Sequence, residues 1–395
     1  MKKTLALILA FALLAALAAC GAPAATNPPA PAGTPAPAAP APAAPDATLT
    51  KDTIKIGFVH ISDESDMGYT YNHELGTKYM VETLGLDYNT QIINKFNIPE
   101  TDACASALRE LAEAGCNIIF ATSFGHGDYV SMVALEYPEI EFCHATGYLA
   151  AISDIPNLHN YFASIFEARY LAGIAAGLKT ETNKLGYVAA FNFAEVISGY
   201  TAFYLGAKSV NPDVTMDVMY TMSWNDPAKE AQVAQSLIDG GCDVISQHSD
   251  STAPATVAEQ NGVFQVGYNS DMIPVAPKAS LVSARIRWGA YVTEAVEAVL
   301  AGEAIPVDWC KGLSDDAVFL SPLNEDIAAE GTAAAIAAAQ AAIIAGTLHP
   351  FDGPLHGVNG NGDELNLAAG EFFAESSEQS APSFDYIIDG INVLS

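Results

Sequence analysis

Asn117-Ile118-Ile119-Phe120-Ala121-Thr122 decides the fold, because four apolar residues run together there without polar alternation. A strand reads this way when both faces of its sheet are covered, as in parallel sheets. Just before it, residues 102–114 repeat apolar side chains at three- and four-residue steps and stop at Gly115, the pattern of a helix lying on that sheet. Further upstream, residues 54–60 (IKIGFVH) predict a first strand, 68–84 a helix ending near Gly85, and 90–96 a second strand. Downstream, 131–137 reads as a helix ending at Pro138 and 141–145 as a fourth strand.

The pattern then restarts. Helices are expected over 166–178, 196–210, 227–239 and 252–261, with strands over 184–190, 215–220, 243–247 and 264–268. A strand over 279–286, a helix over 289–300 and an alanine-rich helix around 327–345 follow. Such alternation implies right-handed βαβ units and parallel sheets. Two runs of it predict two similar α/β lobes rather than one large sheet.

The first fifty residues read differently. Lys2 and Lys3 precede an uncharged apolar run, which Leu17-Ala18-Ala19-Cys20 closes as a lipobox. The run is shorter than the roughly 20 residues that span a bilayer, and its flanks are those of a signal peptide. Residues 1–20 are therefore expected to be a lipoprotein signal with Cys20 as the lipidated residue. From Gly21 to Pro45 every residue is Ala, Pro or Gly except Thr26, Asn27 and Thr34. This segment is unable to bury a core, and its prolines favour an extended stalk. Residues 21–50 are read as a linker to an extracytoplasmic body tethered to the cell membrane.

The remaining residues, about 350, are enough for two domains. The chain has a formal net charge of −30, which argues against nucleic acid and anionic membrane surfaces as electrostatic partners. After Cys20, five cysteines remain, with no CxxC or Cys/His cluster, so neither a disulfide framework nor a metal site is expected. Cys104 and Cys116 flank one helical pattern, leaving a bridge or two buried thiols open. No cofactor motif is present either: a P-loop, a G-x-S-x-G elbow, H-E-x-x-H and a post-strand G-x-G-x-x-G are all missing. Ser123, His126 and Asp128 share one loop, but neighbours in sequence point apart, so a catalytic triad is not expected.

Open α/β sheets bind ligands beyond the C-terminal ends of their strands. The expected strand ends carry Asp66, Tyr71 and Asn72 after the first strand and Phe124 after the third. In the second run they carry Glu195, Trp224, Asp250 and Asp271. Rings beside carboxylates and amides suit a flat, neutral ligand with N–H and O–H groups at its edge. Asp66 and Asp250 could each equally cap the helix that follows.

Longer segments resemble a known family. Gly68-Tyr-Thr-Tyr-Asn-His-Glu-Leu-Gly76, Ala121-Thr-Ser-Phe-Gly125, Glu167-Ala-Arg-Tyr-Leu-Ala-Gly173, Ser223-Trp-Asn-Asp-Pro227 and Gly267-Tyr-Asn-Ser-Asp271 are similar to the Bmp (basic membrane protein) family of substrate-binding lipoproteins, collinearly from Lys51 to Pro354. The resemblance implies a type I periplasmic-binding-protein fold, with two Rossmann-like lobes joined by a three-strand hinge that closes on ligand. On that reading residues 51–162 with 287–315 form lobe 1, and 163–286 with 316–395 form lobe 2. It implies a monomeric, non-enzymatic receptor that needs no cofactor and delivers a purine nucleoside or base to an ABC permease. Phe124 and Trp224 match the two faces that sandwich the base, with Tyr71 a rival for the first. Asp66, Asn72, Asp250 and Asp271 match the polar positions. Gly68-Tyr-Thr-Tyr-Asn-His73 replaces an Asp-x-Ser-Phe-Asn-type motif of the nucleoside receptors, and their ribose-contacting lysine has no evident counterpart. Both departures turn the expectation toward a free base such as adenine. A sensory binding protein without transport and an extracellular nucleoside-processing enzyme are the alternatives.

Overall fold

A computed structural model describes residues 49–375 and 382–394; Cys20 and most of the expected linker lie outside them. The chain begins with β1 (Ile56–Val59), α1 (Tyr69–Leu84), α2 (Tyr88–Gln91), β2 (Ile92–Lys95), α3 (Asp102–Glu113) and β3 (Ile118–Ala121). α4 (Gly127–Glu136), β4 (Glu141–Ala145), α5 (Leu149–Ile152) and β5 (Leu158–Ala163) complete the first run. The second comprises α6 (Ile165–Lys179), β6 (Lys184–Ala189), α7 (Ala194–Val210), β7 (Thr215–Tyr220), α8 (Pro227–Asp239), β8 (Val244–Gln247), α9 (Ala253–Asn261), β9 (Phe264–Tyr268) and β10 (Ser280–Ile286). Then come α10 (Trp288–Ala301), β11 (Asp308–Lys311), β12 (Val318–Leu320), α11 (Thr332–Ile344), β13 (Leu355–Asn359), β14 (Glu364–Leu367), β15 (Tyr386–Ile388) and β16 (Ile391–Leu394).

Two sheets carry the architecture. The first has strand order β11-β5-β4-β3-β1-β2 and the second β12-β10-β9-β8-β6-β7-β16. Every pairing in them is parallel except β10 with β12. A small antiparallel sheet, β14-β13-β15, forms a C-terminal appendage, anchored by Phe351 stacked on Phe384 with ring centroids 4.3 Å apart. β1 and β3 are buried along their whole length, which explains their unbroken apolar reading. The chain passes between the two large sheets at Ser164, at Arg287 and over residues 312–317. These are α/β lobes of the periplasmic-binding-protein kind.

Local chemistry sets the element ends. Thr101 caps α3 through its hydroxyl, and Asp226 caps α8 ahead of Pro227. Thr90 and Gln91, read as the start of a strand, instead end the helical turn α2, which Asp87 caps by accepting from Asn89 N. α6 and α7 lie almost backbone to backbone: a Cβ on Gly173 would fall 2.0 Å from Phe203 O. Cys104 and Cys116 are buried free thiols rather than a bridge, and burial pushes them up to about 12 and about 11. Among the described residues no helix is long and apolar enough to cross a membrane.

Candidate ligand-binding site between the lobes

The C-terminal ends of both large sheets face one cleft, and a narrow cavity with about 300 Å³ of empty space, part of it open to solvent, lies there. Tyr69, Ser123, Phe124 and Thr146 line it from the first lobe; Glu195, Trp224, His248, Asp250 and Tyr268 line it from the second. Strand ends position nearly all of them. Ser123 and Phe124 follow β3, Thr146 follows β4, His248 and Asp250 follow β8, and Tyr268 ends β9. Tyr69 opens α1 and donates its hydroxyl proton to Thr122 O at 2.6 Å. Glu195 sits in the first turn of α7.

An aromatic wall crosses the cleft. Phe124 meets Phe193 of the opposite lobe at 5.2 Å between centroids. Phe193 lies 6.2 Å from Trp224, and Phe191 packs edge-on against Trp224 at 4.9 Å. These rings offer flat faces, while the polar side of the cavity is acidic. Asp250 is buried, and among the described residues no donor reaches its carboxylate. Burial, then the nearby charge of Asp66, push its pKa well above the ordinary value. Burial likewise lifts Glu195 to about 8, against a smaller opposing pull from Arg169. Glu195 Oε1 lies 3.3 Å from Nε2 of His248, whose own pKa is driven well down by burial and by Arg169, so that imidazole is neutral. The cavity thus holds stacking surfaces and hydrogen-bonding groups that lack full partners inside the protein, which is what a small polar ligand supplies.

The structure brings four of the eight expected residues to the cavity: Phe124, Glu195, Trp224 and Asp250. The other four are held elsewhere. Asp66 accepts from the backbone N–H groups of Gly68 (2.8 Å), Thr70 (2.9 Å) and Tyr71 (3.1 Å), capping the start of α1. Asn72 donates to Ile286 O at 3.0 Å and accepts from Arg285 at 3.2 Å, so it ties α1 to the hinge. Asp271 accepts from Ile273 N at 3.0 Å in its own turn. Tyr71, half-buried, is not among the lining residues. Tyr69, Ser123, Thr146, His248 and Tyr268 lie outside the expected set, although their place at strand or helix ends is the available signal. Arg169 had no such signal: it lies within the Ala/Gly-rich α6 and is 1 % exposed. Its guanidinium sits 3.8 Å over the Tyr268 ring and donates to Gln247 O at 2.6 Å.

The lobes touch across the cleft. Asn225 donates to the hydroxyl of Ser62 at 3.1 Å, and Gly68 lies against Asp250 so tightly that a Cβ there would fall 1.6 Å from Asp250 O. The Ser/His loop is not arranged for nucleophilic chemistry. Ser123 donates to Glu100 at 2.7 Å, and His126 Nε2 faces Ile98 O at 3.0 Å.

Comparison with known proteins places this geometry. The family described as Bmp, ABC transporter substrate-binding protein PnrA-like, matches residues 53–347. A purine-binding protein of Brucella abortus is 35% identical over 88% of this chain and 95% of its own length. A putative ABC transporter glucose-binding protein of Haloferax volcanii is 31% identical over 84% of this chain and 82% of its own. In fold, a solute-binding protein of an Aeropyrum pernix ABC transporter system superposes with a TM-score of 0.62 at 19% identity, covering 75% of this chain and 93% of that one. The chain belongs to the Bmp family of ABC transporter substrate-binding proteins.

Proposed function

We propose that this protein is a lipid-anchored extracytoplasmic receptor that traps a purine base or nucleoside between its lobes and hands it to an ABC permease. The observation that carries the reading is the cavity's pairing of aromatic faces with the partnerless carboxylate of Asp250. A purine offers two flat faces and an edge of N–H groups. Aromatic stacking on a nucleobase contributes about 1–3 kcal/mol, and a hydrogen bond to a charged group about 1.5–3 kcal/mol. The Brucella relative, a purine-binding protein, agrees with this reading. Calorimetry with adenine, adenosine and glucose tests it: purine binding supports the reading, while glucose binding without any purine would transfer the Haloferax relative's ligand to this chain. Trp224→Ala and Asp250→Ala are each expected to weaken purine binding about tenfold or more. Native affinity in both would remove them from the site.

The anchor has its own test. Cys20→Ser, expressed in a bacterial host, is expected to move the protein from the membrane fraction to the soluble one and to abolish incorporation of labelled fatty acid. Retention at the membrane with no label in the wild type would argue for a different anchor. Capture and handover need no bond making, and incubation with inosine should return intact nucleoside.

A further inference from the structure

A cation lies behind the acidic side of the cavity with no carboxylate paired to it. Arg169 of α6 is buried, and its Nη1 donates to Gln247 O. Among the described residues, its Nε and Nη2 find no acceptor. The guanidinium carbon sits 3.8 Å from the centroid of the Tyr268 ring and 5.7 Å from that of Tyr187. Aromatic faces return only part of the cost of burying a full charge. The charge therefore needs an electrostatic use nearby.

His248 is the group placed to feel it. Gln247, whose carbonyl Arg169 holds at 2.6 Å, immediately precedes His248 at the end of β8. Both side chains pack on the Tyr268 ring, His248 with its centroid 4.8 Å away. They also converge on Gly199 of α7: a Cβ there would lie 3.1 Å from His248 Nδ1 and 3.6 Å from Arg169 Nε. At the other edge of the imidazole, Nε2 lies 3.3 Å from Glu195 Oε1. The ring stands between a cation and an acid, with one nitrogen toward each.

The contact with Glu195 does not by itself fix where the protons are. An ionised Glu195 accepts from Nε2–H, but burial lifts this acid to about 8, and a protonated Glu195 could instead donate to a bare Nε2. The second arrangement puts the imidazole proton on Nδ1, facing the guanidinium, where an N–H is repelled and a lone pair attracted. We infer that Arg169 is a positioning residue: it fixes His248 as the tautomer protonated on Nε2, so that His248 donates to Glu195 and leaves the other carboxyl oxygen, with any proton it carries, for the ligand. A cavity acid is thereby aimed by a side chain that does not line the cavity. Arg169, Glu195, His248 and Tyr268 all lie between the start of α6 and the end of β9, within the second lobe, so the arrangement does not wait for closure. Its effect on affinity rests on the purine reading of the cavity; the tautomer does not.

Nitrogen-15 NMR of the full chain with labelled histidine reads the tautomer directly, and His248→Gln identifies the signal. At neutral pH the wild type should carry its proton on Nε2 with Nδ1 bare. Arg169→Met, similar in length and uncharged, should let the Nδ1 tautomer become populated, and Arg169→Lys should restore the wild-type signal. A wild type protonated on Nδ1, or on both nitrogens, would overturn the inference whatever the variants do. An unchanged signal in folded Arg169→Met would overturn it too. Calorimetry with adenine is the second arm. Arg169→Met should weaken binding about tenfold in the wild-type background, and less than about threefold where His248 is already glutamine, because the two residues act in series. Equal loss in both backgrounds, or no loss in the first, would overturn the path through His248. A wild type that binds no adenine strikes the purine reading, and the spectrum still decides the tautomer.

Discussion

Replacing Gly68 with valine is expected to weaken ligand binding by about a hundredfold or more, which corresponds to about 2.7 kcal/mol, with the ligand-free unfolding midpoint little changed. The reason is geometric. Gly68 belongs to the first lobe and Asp250 to the second, and in the closed arrangement a Cβ on Gly68 would lie 1.6 Å from the carbonyl oxygen of Asp250. A carbon and a carbonyl oxygen approach to about 3.3 Å at best. The lobes would therefore have to part by well over an ångström at their point of closest contact. The obstacle is backbone, which no rotamer change relieves, and a branched side chain widens the gap further. Parting the lobes at this point separates Tyr69, Ser123, Phe124 and Thr146 from the five residues opposite. A ligand would then be held by one wall at a time, and affinity gained by enclosure is lost. Each lobe keeps its own sheet, and the clash lies at the cleft, so folding is spared. Small-angle scattering supplies the second readout: the wild type should contract on adding ligand and Gly68→Val should not. Native affinity together with native contraction would show that closure takes another path.

The residues that made the fold legible differ in kind from those that made the site legible. β1 and β3 announce themselves because strands covered on both faces are apolar throughout. β5 went unread because Leu158-His-Asn-Tyr-Phe-Ala163 mixes polar and apolar residues that are all buried. His159 bonds there to Glu141, and Asn160 accepts from the N–H of Ala150 in α5. β11 and β12 are only four and three residues long and flank the hinge passage over 312–317. β16 pairs with β7 across a separation of about 175 residues, as in Ile391 opposite Met216, and no local pattern encodes such a pairing. At the site, the rule that ligands gather at strand ends brought Phe124, Trp224, Glu195 and Asp250 into view. The same rule brought Asp66, Asn72 and Asp271, and nothing in their chemistry separates a carboxylate that faces the cleft from one that caps a turn. Only the backbone decides: three N–H groups converge on Asp66, and among the described residues none converges on the carboxylate of Asp250.

That difference bears on how binding should respond to pH. In an open cleft Glu195 is solvated and keeps an ordinary carboxylate pKa near 4.5; in the closed cavity burial lifts it to about 8. The groups around it do not cancel the lift. His248, 3.3 Å away, is neutral, Arg169 opposes the shift only in part, and Asp250 is a second acid in the same space. A raised pKa means that closure takes up a proton, so closure is favoured below about 4.5 and progressively disfavoured as pH rises toward 8. If the ligand leaves Glu195 protonated, donating a hydrogen bond to a ring nitrogen, affinity should fall on the order of a hundredfold between pH 5.5 and 8. Glu195→Gln keeps a donor and an acceptor in the same shape without the titration, and it should flatten the profile while retaining the affinity seen at low pH. A wild-type profile that is already flat would mean that ligand N–H groups replace the proton and bind the ionised acid. In that case Glu195→Gln should lose affinity at every pH, so the two variants of the contact are told apart by one titration series. The acidic pair then has a use beyond recognition. Closing the empty cleft buries two carboxyl groups with too few donors, and a ligand or a proton has to supply them before the lobes stay together.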